Sequence, residues 1–220
     1  MIEKSKILEA YNFRHACKKF DVSRKIPSED IDFLIETFRL SPSSFGMEPW
    51  RLLIIKDESL KKELKSHCWN QNQIDSCSHL VVVISKTALV EDEEYIKKMF
   101  SRRPEIDSQE PIIKKIKATL KELSMNFITR YMYKSSLKSS AIYEWCSRQN
   151  YLASANMATS AAMIGIDSCF IEGFKKDKVE KTLALDSSKE EVSLLLPLGY
   201  RINLPKEKTR LEKSEFVEYR

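Results

Sequence analysis

The chain has 220 residues, 42% hydrophobic and 31% charged, with only four Gly and seven Pro. Folding a chain of that length buries about 70% of the unfolded surface, and the composition excludes a disordered, collagen-like or linker-type polymer. The 37 Lys and Arg outnumber the 32 Asp and Glu to leave +5, a small excess spread along the chain that favours anionic ligands only weakly.

Lys4 to Ala16 places Ile7, Leu8, Tyr11 and His15 at helical spacing, and Pro27-Ser28-Glu29-Asp30 opens a second helix, with acids in its first turn, that runs to about Leu40. Ser41-Pro42-Ser43-Ser44 stops it in a polar loop ending at Gly46, and Trp50 to Ile55 follows as a short apolar strand. Ser59 to Cys68 reads as another helix. His79 to Ser85 has the β-branched density of a strand buried on both faces. From Glu91 to Lys138 the sequence is charged and helical in composition, broken by Pro104 and Pro111, a helical excursion with a solvated face. Ala141 to Ile164 is rich in Ala, Ser, Thr and Met, apolar or small nearly all round, which predicts a central, closely packed helix ended by Gly165. Ile166 to Ile171 and Val192 to Leu198 read as two more strands separated by a lysine-rich helix. The pattern gives one α/β or α+β domain, residues 1–220, without linker or repeat.

The five cysteines, Cys17, Cys68, Cys77, Cys146 and Cys169, are odd in number and form no Cys-x-x-Cys pair, the usage of a reducing cytosol rather than a disulfide framework. The first residues are charged where a secretion signal turns apolar, so a cytoplasmic location is expected. The longest uncharged run, the 18 residues Gln149 to Ile166, contains Gln, Asn and several Ser and Thr and reads as a helix buried in protein, not a membrane span.

Four constellations could carry chemistry. Arg14-His15-Ala16-Cys17-Lys18 puts two cations four residues apart. On a continuous helix they would share a face at a cost of about 0.2–0.5 kcal/mol, which a bound anion would reverse. The same spacing also fits an exposed basic helix end. Ser41 to Arg51 gathers hydroxyls and free amides in a loop between helix and strand, which suits a ligand edge or a self-capped turn equally. Ser168 to Phe174 is a strand end followed by Glu172 and Gly173, a place where ligands gather in open sheets and where an ordinary turn looks the same. Lys208-Thr209-Arg210 puts two cations on one side if extended. His67-Cys68 and Cys77-x-His79 lack finger spacing for zinc. No GxSxG, GxGxxG or GxxxxGK[ST] occurs, which removes the best evidence for hydrolase, Rossmann or P-loop chemistry.

Taken in order, these pieces resemble the FMN-dependent nitroreductase family, in its oxygen-insensitive NAD(P)H nitroreductase and dihydropteridine reductase branch. The residues that carry the resemblance are Arg14-His15-x-x-Lys18 with Phe20-Asp21, Ser41-Pro42-Ser43-Ser44 with Pro49-Trp50, Asn70, His79-Leu80-Val81-Val82-Val83, Glu144-Trp145 with Gln149, Ile171-Glu172-Gly173-Phe174, Pro197-Leu198-Gly199-Tyr200 and Lys208-x-Arg210-Leu211. The resemblance implies an α+β fold, a central mostly antiparallel sheet surrounded by helices, in an intertwined homodimer with FMN in each crevice between subunits. It implies that Arg14, His15, Ala16, Lys18, Lys208 and Arg210 hold the phosphate and ribityl chain. Pro42, Ser43, Ser44 and Gly46 would reach the flavin from the partner. Asn70, Gln149, Ile171, Glu172 and Gly173 complete the cofactor set, with the Glu172 N–H near N5.

By the same resemblance, two electrons pass as hydride from NAD(P)H to a nitroaromatic, quinone or similar flat acceptor in a ping-pong sequence at one shared cleft. No side chain is assigned as a catalytic acid or base, because water or the flavin N5–H can supply protons. Phe45, Trp69, Gln73, Phe127 and Tyr131 are the substrate-side candidates. Four positions depart from the family pattern: Ala16 where Ser is frequent, Gly46 where Asn is frequent, Phe170 where Pro is usual and Gln73 where Lys is frequent. The last removes a cation near the flavin and bears on cofactor preference and turnover. The same fold running dehalogenation or flavin fragmentation is the alternative, and a basic binding module without enzymatic activity the remote one.

Overall fold

A computed structural model of the chain describes residues 2–89, 91–102 and 139–220. Most of the 91–138 excursion, with Phe127 and Tyr131, falls outside the described residues. Its opening is helical as expected: α5, Glu93–Ser101, is capped by the Asp92 side chain, which accepts from Tyr95 N, and buries Ile96, Met99 and Phe100.

Four strands, β1 (Trp50–Ile55), β2 (His79–Lys86), β3 (Asp167–Ser168) and β4 (Glu190–Gly199), form one antiparallel sheet in the order β1-β2-β4-β3. β2 is buried along seven of its eight residues, because helices cover both sides of the sheet. Its side chains alternate between two cores. Leu80, Val82 and Ile84 pack with Leu64 of α3 (Glu58–His67), Ile74 of α4 (Asn72–Ser76) and Val179 of α7 (Lys176–Thr182). Val81 and Val83 pack with Ile31, Leu34 and Phe38 of α2 (Ser28–Arg39) and with Ala153, Met157 and Ala161 of α6 (Ser139–Met163). This double cover is what the uninterrupted β-branched run requires.

The register of β2 on β4 shifts between Val83 and Ile84, leaving Ser193 as the extra residue. Its hydroxyl meets Ser85 Oγ at 2.7 Å, and Asn150 at the middle of α6 donates to both, at 3.1 Å to Ser85 and 2.8 Å to Ser193. The bulge thus faces a polar group that needs it. α6 ends where Gly165 takes φ +77°, with Ile166 N donating to Ala161 O and Gly165 N to Ala162 O, the double bond pattern of a glycine-terminated helix.

The structure corrects three sequence expectations. The first helix, α1 (Lys4–Phe13), stops before Arg14, which is extended at φ −64°, ψ 125°. The strand expected over Ile166 to Ile171 reduces to β3 and a single bridge from Ile171 to Leu195. α6 is not covered all round: Leu152 is 53% exposed and Met163 46%, so it presents an apolar strip to the outside. Among the described residues no helix is long and apolar enough to cross a membrane.

Candidate functional site

Beyond α1 the chain runs extended beside β3. Ala16 bridges in parallel to Ser168, and Cys17 N donates to Ser168 O at 3.1 Å. The Cys17 side chain is buried, so its neighbours Ala16 and Lys18 face outward. Arg14 and Lys18 therefore do not share a helix face. They share a side through strand alternation, which an even spacing also satisfies.

The far end of the chain returns to the same place. Phe20 bridges to Arg201 and Asp21 N donates to Tyr200 O at 2.8 Å. Lys208 Nζ then donates to the Arg14 carbonyl. Burial, with Arg14 and Arg210 beside it, holds the Lys208 ammonium below the usual lysine range. Lys208 thus meets Arg14 with the Arg210 charge acting on it, and Lys18 Nζ reaches Cys169 Sγ at 3.8 Å, a thiol that also feels the Arg14 charge. Among the described residues no carboxylate pairs with any of these four cations.

Two residues that the sequence reading missed fix this segment. Asp167, 3% exposed, accepts from Arg201 N at 2.8 Å and pairs with the Arg201 guanidinium at 2.8 Å. Arg201 in turn donates to Phe13 O at 3.2 Å and lies 3.8 Å from the Phe13 ring centre. His15 Nδ1 stands 3.5 Å from Asp167. Burial, then the Arg201 charge, holds the imidazole below its ordinary range, with Asp167 opposing. A lone Asp after a helix and a lone Arg after a strand carry no motif, so their partnership is visible only in space. Among the described residues, neither the buried His15 Nδ1 nor the buried Ser168 Oγ makes a hydrogen bond.

The Glu172-Gly173 turn lies next to this cluster. Ile171 exchanges backbone bonds with Leu195 at 2.9 and 3.0 Å. Gly173 O accepts from Gln71 Nε2 at 2.9 Å, and Gln71 Oε1 from Gln73 Nε2 at 2.9 Å. Gln73 is only 3% exposed, so it sits beneath the surface rather than lining an open cleft in the single chain. Trp69 and Asn70 adopt left-handed φ of 52° and 55°, which turns the indole onto Gly173: a Cβ there would stand 2.5 Å from Trp69 Cζ3. Only glycine admits that approach. On the other side, an open groove of about 620 Å³ is lined by Arg148, Tyr151, Leu152, Ala155, Phe170 and Glu172. Burial and a bond to the Glu172 carboxylate push the Tyr151 phenol up.

The Pro42 to Gly46 loop forms a separate unit. Ser43 Oγ accepts from Glu48 N at 3.0 Å, and Ser44 N donates to Gln149 Oε1 at 2.9 Å. Phe45 and Gly46 take φ of 57° and 62°, a tight turn that leaves Phe45 43% exposed. These hydrogen bonds tie Ser43, Ser44 and Gln149 to one another's surroundings and not to the four cations. Among the described residues no group of three His, Cys, Asp or Glu is arranged to hold a metal.

The model of the Nitroreductase family matches residues 11–200. The chain belongs to the nitroreductase family. YfkO of Bacillus subtilis (strain 168), provisionally named an NAD(P)H nitroreductase, is 33% identical over 229 residues and covers 98% of both chains. SH0546 of Staphylococcus haemolyticus (strain JCSC1435), under the same provisional name, is 37% identical over 97% of this chain and 96% of its own. A nitroreductase-like protein from Streptococcus mutans superposes with a TM-score of 0.82 at 18% identity over 99% of both chains. A protein from Exiguobacterium sibiricum 255-15, solved in complex with FMN, gives 0.77 at 21% over 97% of each. The structural likenesses establish the nitroreductase fold, α+β with an antiparallel sheet, and the curated relatives support an oxidoreductase of this family.

Proposed function

We propose that this nitroreductase-family protein is an FMN-dependent oxidoreductase that passes two electrons from NAD(P)H to nitroaromatics, quinones or similar flat acceptors in a ping-pong sequence. The observation that carries the reading is the approach of Arg14, Lys18, Lys208 and Arg210 from both ends of the chain with, among the described residues, no acid paired to them. A monoester phosphate carries up to two negative charges and offers three acceptor oxygens, which matches such a donor set without a glycine-rich loop. The buried, unpartnered Ser168 hydroxyl and His15 Nδ1 add polar atoms of the kind a ribityl hydroxyl satisfies.

When bound, FMN supplies the hydride chemistry. The chain's part is to hold and orient it. Arg14, Lys18, Lys208 and Arg210 grip the phosphate, and His15 and Ala16 border the ribityl chain, fixed by the Asp167–Arg201 pair. Asn70, Gln149, Ile171, Glu172 and Gly173 are assigned to the ring system, the Glu172 N–H facing N5. Phe45 and Trp69 on Gly173 are assigned to the substrate side, with Gln73 behind them under the Gln71–Gly173 bond. No side chain is assigned as an acid or base.

We infer that residues 1–220 form one domain that works as a homodimer, with Pro42, Ser43, Ser44 and Gly46 serving the partner's cofactor. In support, one copy leaves Leu152 and Met163 of α6 uncovered, and Leu204, Leu211 and Phe216 of the tail are 90%, 64% and 66% exposed, an apolar area that a second copy would bury. The test is direct. Purified protein should be yellow, bleach on adding NADH or NADPH, and regain its absorbance when a nitroaromatic or quinone is supplied. A protein that takes up no FMN refutes the reading.

A further inference from the structure

Cys169 occupies an unusual place among the buried thiols. It follows β3 directly, is fully buried, and is fixed by its own N–H, which donates to Pro197 O of β4 at 3.2 Å. Its sulfur is the meeting point of three segments far apart in sequence. Lys18 Nζ approaches Sγ at 3.8 Å, Gln73 Nε2 at 3.9 Å, and the S–H donates to Phe170 O at 3.7 Å. The thiol's one hydrogen and both acceptor directions are therefore engaged.

We propose that Cys169 is a positioning residue for the cofactor site: its neutral sulfur directs the Lys18 ammonium, and secures the Gln73 amide, without cancelling the Lys18 charge. This rests on the FMN reading above. The physical case is one of charge. Lys18 is exposed, so without a fixed contact its placement would cost rotamer entropy each time an anion binds. A carboxylate at position 169 would fix the ammonium but neutralise it, removing the charge the phosphate needs. An apolar residue would leave the charge but not its direction. A buried thiol does both. Burial raises its ionisation above the ordinary range, against the pull of Lys18, Gln73 and Arg14, so the acceptor stays uncharged. Because the same sulfur receives Gln73, it also ties the phosphate end of the site to the Gln73–Gln71–Gly173 chain of bonds at the turn.

The test uses Cys169→Val, which keeps packing and removes the acceptor, and Cys169→Ser, which keeps an acceptor. FMN affinity of flavin-free protein is read by quenching of flavin fluorescence, with thermal melts as the control for folding. The valine variant should bind about three- to tenfold more weakly, the range of an ordinary net hydrogen bond, as suits a weak sulfur acceptor, and the serine variant should stay within about twofold of the parent. In a Lys18→Ala background the valine change should cost clearly less than in the parent, only its Gln73 share remaining, an outcome that a merely structural role would not produce. Parent-like affinity in the valine variant, equal weakening by serine and valine, or full additivity with Lys18→Ala each overturns the assignment. Failure of the parent itself to bind FMN overturns it together with the reading it rests on, and so is told apart from those results.

Discussion

Replacing Lys18 and Arg210 together by alanine separates the binding role of the cations from any role in the fold. Each charge-assisted bond to an anion contributes about 1.5–3 kcal/mol, so losing two costs about 3–6 kcal/mol before screening, a factor of about 10² to 10⁴ in Kd at 1.4 kcal/mol per decade. Both side chains are exposed, and solvent holds such contacts to the weak end of that range, which sets the expected loss at about a hundredfold. Stability should move the other way or not at all. Among the described residues neither has an acidic partner to lose, and removing Arg210 takes one repelling neighbour from Lys208. The double variant should therefore melt without FMN at or slightly above the parent temperature. FMN titration of flavin-free protein at two ionic strengths, with parallel melts, checks both halves, and the variant's affinity should depend less on salt. Retention of full flavin content would refute the phosphate assignment, and a melting temperature several degrees lower would show that these cations hold the fold instead.

Two further outcomes follow from buried side chains. Gln73→Lys removes the bond to Gln71 and sets a second ammonium beside Cys169, next to Lys18. It should lower stability by about 1–3 kcal/mol and change the steady-state constants for NAD(P)H, and unchanged constants would mean that position 73 does not face the nicotinamide. His79 is buried with Nδ1 3.0 Å from Ser78 Oγ; burial, then Lys56, Lys61 and Lys25, lowers its pKa from 6.5 to about 4. The unfolded chain takes up the proton first, so the His79 contribution to stability is complete above about pH 6.5, falls as pH drops through that value, and stops changing below about pH 4, a loss from this group of about 3 kcal/mol at 1.36 kcal/mol per unit. Urea unfolding between pH 7 and 4 measures it, and His79→Gln should flatten the curve in this window.

The elements with dense local signals were legible in the sequence. β2 announced its double cover through an unbroken β-branched run, and the Ser59 to Cys68 reading matches α3 to within one residue at each end. Failures fell where tertiary contacts overrule local pattern. The periodicity through His15 continues the first helix, but Ala16 pairs with Ser168 and the backbone leaves the helix at Arg14. α4 spans only Asn72–Ser76, too few residues for a 3.6-residue period to register, and was not anticipated. The apolar composition of α6 was read as all-round burial, whereas composition alone does not say which strip a second surface is left to cover. At the candidate site the cations were visible as residue types, yet what brings them together, Asp167 with Arg201 and the sulfur of Cys169, consists of single residues without any spacing rule.

Lys208 and Arg210 stand beyond the last strand, while Arg14 and Lys18 precede every strand. A ribosome would release the sheet and its covering helices before it released the residues that close the proposed anion-binding site. On the proposed reading a phosphorylated ligand would be held fully only once residue 210 has emerged, and a protease cut shortly after Tyr200 would spare the sheet while removing two of the four cations.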